Sequence, residues 1–140
     1  MLCGSFAKSL ALVHAETLES EFVPTRPFRV NAGGIHSYIM MGDLSTCYLS
    51  ELKSGDEVLI VNEKGDSRIA TIGRIKLEKR PLIKIKWITD KGIKGNLILQ
   101  QAETVRLINI YRYTYQVRNV LFSSILSEIY FCTLYIQYVR

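Results

Sequence analysis

At 140 residues the chain has room for one domain with a modest core, and 48% apolar against 22% charged residues is the balance of a folded rather than a disordered chain. A formal net charge of +5 favours anionic partners such as phosphates or carboxylates; with no recognisable nucleic-acid module beside it, nucleic acid is not expected. Cys3, Cys47 and Cys132, an odd number without a CxxC, argue against a disulfide framework or a structural zinc site, and the first residues lack the basic start and cleavage site of a signal peptide.

In chain order, residues 1–34 mix short apolar runs with turn formers. Residues 10–13 read as a strand, followed by acids at Glu16, Glu19 and Glu21. Pro24 and Pro27 forbid a continuous helix through 22–28, and Gly33-Gly34 marks a turn or a close approach of backbones. From 35 onward the pattern is of short strands. Residues 35–41 are apolar and partly alternating, and 57–61 follow the turn Ser54-Gly55-Asp56. Lys64-Gly65-Asp66 turns the chain into 68–77, where Ile69, Thr71, Gly73, Ile75 and Leu77 share one parity. Pro81 separates that strand from 82–87; Asp90-Lys91-Gly92 then turns into 96–100, and 105–108 closes the series. Strands at this spacing predict a mainly β domain, a small barrel or sandwich of short antiparallel strands.

Residues 108–140 read as a separate, Tyr-rich hydrophobic tail, with six of the eight tyrosines between Tyr111 and Tyr138. The run 120–139 carries one formal charge, Glu128, and has the length of a membrane span. Ser123, Ser124, Ser127, Glu128 and Gln137 argue against a membrane. A loosely packed helix, or an extension foreign to the rest, is the better reading of this tail.

Three segments carry candidate chemistry. In 26–36, Arg26 and Arg29 flank a proline-stiffened stretch, then come Asn31, the glycine pair and His36. Arginines grip carboxylate or phosphate through a planar fork, asparagine offers a donor and an acceptor, and histidine is a general acid or base near neutral pH. The plainer reading is a loop entering a strand. His14 and Glu16, two apart on an extended chain, point to one face. Together with His36 and Cys47 their spacing matches no metal motif, so no metal is expected. In 73–81, Arg74, Lys76 and Glu78 share a strand face, either as a solvated surface or as an anion-binding patch. No GxGxxG, P-loop or GxSxG occurs, so a nicotinamide cofactor would bind without the usual fingerprint.

Five blocks then carry a resemblance: GSFAKSLALVHAETLES (4–20), RPFRVNAGGIHSYI (26–39), YLSELKSGDEVLIV (48–61), IGRIKLEKRPLI (72–83) and LILQQAETVRL (97–107). In this order and spacing they resemble the C-terminal part of the archaeal-type 3-dehydroquinate synthases, the 3-dehydroquinate synthase II family. The resemblance implies residues 1–107 as the synthase-like part. It also implies an NAD-dependent oxidative deamination and cyclisation of 2-amino-3,7-dideoxy-D-threo-hept-6-ulosonate to 3-dehydroquinate, on the shikimate route to aromatic amino acids. A small-molecule carboxylate is then the substrate, and the setting is the cytoplasm, or a plastid in a plant or alga. Arg26, Arg29, Asn31, Arg74 and Lys76 are the candidate substrate-binding residues, and His36 and His14 the candidate bases for ring closure. The family's long N-terminal part has no counterpart here, and residues 109–140 lack its turn-rich continuation. The chain is therefore expected to be incomplete as an enzyme. The alternative is a small basic β domain that holds an anionic ligand or RNA without catalysis.

Overall fold

A computed structural model of the chain describes residues 1–18, 24–26, 28–88, 91–108, 114–116 and 130–139. Glu19, Glu21, Pro27, Asp90 and much of the 120–139 run lie outside the described residues. The elements are β1 (Leu2–Phe6), β2 (Ser9–Val13), β3 (Arg29–Gly34), β4 (Tyr38–Met40), β5 (Thr46–Tyr48), a 3-10 turn (Leu49–Glu51), β6 (Glu57–Val61), β7 (Ser67–Ile88), β8 (Lys94–Gln100), β9 (Arg106–Ile108), β10 (Thr114–Gln116) and β11 (Tyr130–Val139).

The strands pair antiparallel in two sheets. One has the order β10-β9-β2-β1-β4-β5, the other β3-β11-β7-β6, and β8 joins the far half of β7. The expected mainly β architecture forms, and among the described residues it stays open rather than closing into a barrel. Both sheets feed one core. Cys3, Val13 and Ile39 come from the first sheet; Val30, Val58, Ile72 and Ile136 come from the second, with Leu97 and Leu99 from β8. Burial of each such leucine contributes roughly 1.5–3 kcal/mol.

Three local features extend or depart from the sequence pattern. Strand β1 is invisible to periodicity because Gly4 and Ser5 interrupt its apolar residues. Gly4 has a positive role there: a Cβ would stand 2.6 Å from the Ser9 carbonyl oxygen, so glycine lets the β1–β2 hairpin close. Gly33-Gly34 ends β3, and of the two readings, turn or close approach, it is the close approach that forms. Gly33 has φ 99°, and a Cβ on it would overlap the Ile98 carbonyl oxygen, so β3 and β8 meet backbone to backbone.

The expected break at Pro81 does not occur, and β7 runs 22 residues through it. The strand changes partner at that point. Residues 67–71 pair with β6, 71–81 with β11 and 82–88 with β8. A proline has no N–H for a ladder, and the handover from one neighbour to the next is where its absence costs least.

The helix read for the tail is corrected in its described part, where Thr114–Gln116 and Tyr130–Val139 are strands. β11 lies between β3 and β7, and its Ile136 is fully buried in the shared core. The many β-branched and aromatic residues of 130–139 suit a strand held on both edges.

Candidate anion-binding site

Strand β2 ends at Val13, and residues 14–16 pass between β9 and β3. The His14 amide donates to the Arg106 carbonyl at 2.9 Å, and the Glu16 amide to the Arg29 carbonyl at 2.9 Å. In return the Arg26 amide donates to the Glu16 carbonyl at 2.6 Å. These bonds fix the connector against both sheets and hold three arginines around one glutamate and one histidine.

Glu16 is only 4% exposed and stands 3.2 Å from Arg29 Nε, an ion pair rather than an aligned hydrogen bond. Burial raises the Glu16 carboxyl above its ordinary range, and Arg29 and Arg26 pull it part of the way back. Arg106, on β9, is buried, and its Nη1 donates to the Leu18 carbonyl at 3.5 Å. Nδ1 of His14 is enclosed without an aligned hydrogen bond among the described residues. Burial lowers the His14 pKa, the Ala15 backbone opposes that, and Arg106 adds to it. The imidazole is therefore neutral near pH 7. Arg26 and Arg29 beside the Glu16 carboxylate, with Arg106 and Glu63 both acting on the His14 imidazole, make a charged setting next to a neutral base. Such a site can hold a carboxylate or phosphate and accept a proton from whatever that anion carries.

Of the residues expected from sequence, Arg26 and Arg29 act on Glu16, two residues along the connector from His14. Arg26 is exposed at the rim and Arg29 keeps 23% of its side chain in solvent. Asn31 is buried two residues further along β3. Its Nδ2 donates to Gln100 Oε1 at 3.0 Å and its Oδ1 accepts from the Gly33 amide at 3.2 Å, so it ties β3 to β8. His36 lies beyond the opposite end of β3, exposed on the following turn, with its ring over Gly34. The length of β3 puts it more than about 15 Å along the strand from Arg29. Burial lowers its pKa as well.

Arg74 and Lys76 are exposed on β7, across β11 from β3. Arg74 is in register with Gln137 and through it with Arg29; Lys76 is in register with Tyr135 and through it with Asn31. Two strand spacings, roughly 10 Å, separate each pair. Lys76 and Arg80 both pair with Glu78.

The sequence pattern overlooks Arg106 and singles out Glu16 only as a metal partner of His14. A signal for Arg106 exists, since it is a lone cation in the otherwise apolar strand 105–108, and a charge facing a core needs a partner. Among the described residues no group of three His, Cys, Asp or Glu is placed to hold a metal, and no helix is long and apolar enough to cross a membrane.

Over residues 1–123 the chain matches the 3-dehydroquinate synthase II C-terminal domain. It is 54% identical over 109 residues to the 3-dehydroquinate synthase of Methanocaldococcus jannaschii, covering 78% of this chain and 30% of that protein. With the 3-dehydroquinate synthase of Methanosphaera stadtmanae it shares 53% over 109 residues, covering 78% of this chain and 30% of the relative. The 3-dehydroquinate synthase of Methanothermobacter thermautotrophicus is likewise 53% identical over 109 residues, with 29% of its length covered. The chain thus spans about 30% of the length of these curated relatives. No solved structure matches it.

Proposed function

The chain belongs to the 3-dehydroquinate synthase II family, and we propose that it supplies the C-terminal β domain of an enzyme making 3-dehydroquinate. The substrate in this reading is 2-amino-3,7-dideoxy-D-threo-hept-6-ulosonate, the route is aromatic amino acid biosynthesis, and the setting is the cytoplasm. The observation that carries it is the gathering of Arg26, Arg29 and Arg106 around Glu16 and His14. The substrate bears a carboxylate, and guanidinium groups grip carboxylates through a planar fork.

The roles follow from position. Arg29, held by the Glu16 carboxylate on one side and partly open to solvent, presents its guanidinium to the substrate carboxylate. Arg26 closes the rim. Burial keeps the His14 imidazole neutral, with Arg106 adding to the effect, so His14 can take up the proton released as the ring closes. Asn31 and Lys76 act structurally in this reading, because their side chains are engaged by Gln100 and Glu78. His36 and Arg74 stand outside the cluster.

NAD would be the hydride acceptor of the whole enzyme. A nicotinamide dinucleotide ordinarily rests its pyrophosphate on a helix N-terminus or an open nest of amides. Among the described residues the helical element is the single turn Leu49–Glu51, and Gly33-Gly34 is closed over by Ile98 and His36. These residues do not fit that cradle. The cofactor is assigned to the part of the relatives that this chain does not span.

The test is a chimera in which this chain replaces the matching region of the M. jannaschii synthase, assayed for NADH and 3-dehydroquinate. The chimera is expected to turn over, and Arg29→Ala in it to raise KM by at least tenfold. A folded chimera without activity, or one whose KM is indifferent to Arg29, would overturn the proposal.

A further inference from the structure

A second feature lies at the other end of β2, away from the arginine cluster. The Ala7-Lys8 turn of the β1–β2 hairpin and the start of β8 enclose a groove of about 410 Å³. That volume is within the usual range of small-molecule sites, roughly 300–1,000 Å³. Phe6, Ile93 and the ring of Tyr38 supply apolar walls, and Lys8 and Lys94 stand at its edges. No acid lines it. Neither lysine has an ion partner among the described residues.

Two further observations make this more than a dent in the surface. Phe6 is 53% exposed and Ile93 52%, so two large apolar side chains that line one groove are turned to solvent. A flat ring against them would remove both from water. Ser5 and Ser9 complete the lining. Tyr38 is braced rather than mobile. Its hydroxyl donates to that of Tyr48 at 2.7 Å, and the two rings stack at 4.4 Å.

We propose that this groove binds a flat ring compound bearing a phosphate monoester, the ring lying against Phe6, Tyr38 and Ile93 and the phosphate between Lys8 and Lys94. Two unmatched ammonium groups suit the roughly −1.5 to −2 charge of a phosphate monoester at neutral pH better than the single charge of a carboxylate. A nucleoside monophosphate is the simplest common member of this class. The inference goes beyond the proposed synthase role and does not rest on it, because the two sites share no residue.

The chain carries its own reporter. Trp87 is the single tryptophan, and it sits in register with Gly95, the residue after Lys94. A Cβ on Gly95 would overlap both the Trp87 indole and the Ser9 hydroxyl, so the indole packs directly behind the groove. Adenosine monophosphate is titrated into the full chain at low salt while Trp87 emission is followed. A saturable change is expected, with adenosine alone and inorganic phosphate alone each binding at least tenfold more weakly. The double variant Lys8→Ala/Lys94→Ala, whose replaced side chains are exposed, is expected to keep its far-UV circular dichroism and weaken binding by tenfold or more. No saturable response in the millimolar range would overturn the proposal. Unchanged affinity in the double variant would overturn it too, and so would inorganic phosphate binding as tightly as the nucleotide.

Discussion

Replacing Arg29 with alanine removes the ion partner of a carboxylate that is only 4% exposed. Breaking a fully buried pair in this way costs about 3–5 kcal/mol, because the remaining charge is left without compensation. Here the loss is softened twice. Arg29 keeps 23% of its side chain in water, and Arg26 also acts on the Glu16 carboxyl. A destabilisation of about 2–3 kcal/mol is the outcome for Arg29→Ala. The double variant Glu16→Gln/Arg29→Ala keeps the shape of the site without the charge, and should recover all but about 1 kcal/mol. The pH dependence has a definite sign. Burial already raises the Glu16 carboxyl, and losing Arg29 raises it further, so the folded state binds this proton more readily than the unfolded chain does. The deficit of Arg29→Ala is then largest near neutral pH and shrinks as pH falls through the raised pKa. Urea unfolding followed by Trp87 emission at about pH 7 and pH 4 reads both effects. Equal destabilisation of the single and double variants at neutral pH would refute the reasoning, since Arg29 would then matter only through the packing of its stem.

Further outcomes follow from other positions. Gly33→Ala forces a side chain into φ 99° and against the Ile98 carbonyl oxygen, and should cost about 2–4 kcal/mol in the same unfolding assay. His14 has a lowered pKa, so the stability it confers is present above its ordinary 6.5 and lost as pH falls through the folded value. His14→Gln should therefore narrow the loss of stability between about pH 7 and pH 5, read as the difference from wild type so that Glu16 cancels. Burial pushes the Cys3 thiol up to about 11, whereas Cys47 is only half-buried. Iodoacetamide at about pH 8 should modify Cys47 in the native chain and reach Cys3 only on unfolding, as peptide mass mapping would show.

Short strands bounded by turn residues were legible. Residues 57–61, 96–100 and 105–108 fall within a residue or two of β6, β8 and β9. What was not legible depends on partners rather than on the segment itself. Strand β1 is specified by the backbone of β2 closing over Gly4, a contact that no window of β1 alone contains. The same holds at Pro81. Read locally it is a break, yet in the fold it marks the residue where β7 leaves β11 for β8. Strand β11 is the sharpest case. Its apolar run shows no clean alternation and so reads from sequence like a buried helix; what makes it a strand is its pairing with β3 on one edge and β7 on the other.

The site shows the same division at the level of side chains. Sequence chemistry selects residues by what their groups can do, and so it favoured the 26–36 segment as one unit. The fold divides that segment. A strand advances about 3.4 Å per residue, so Arg29 and His36 end near opposite ends of β3, while the Asn31 side chain is tied to Gln100 of β8. In exchange it brings up Arg106, some eighty residues away in the chain, because the His14 amide continues the β2–β9 ladder onto the Arg106 carbonyl. A cation in an apolar strand and an acid in a connector are each unremarkable in sequence. It is the antiparallel pairing of β2 with β9, rather than any motif, that brings Arg106 to His14, two residues along the connector from Glu16.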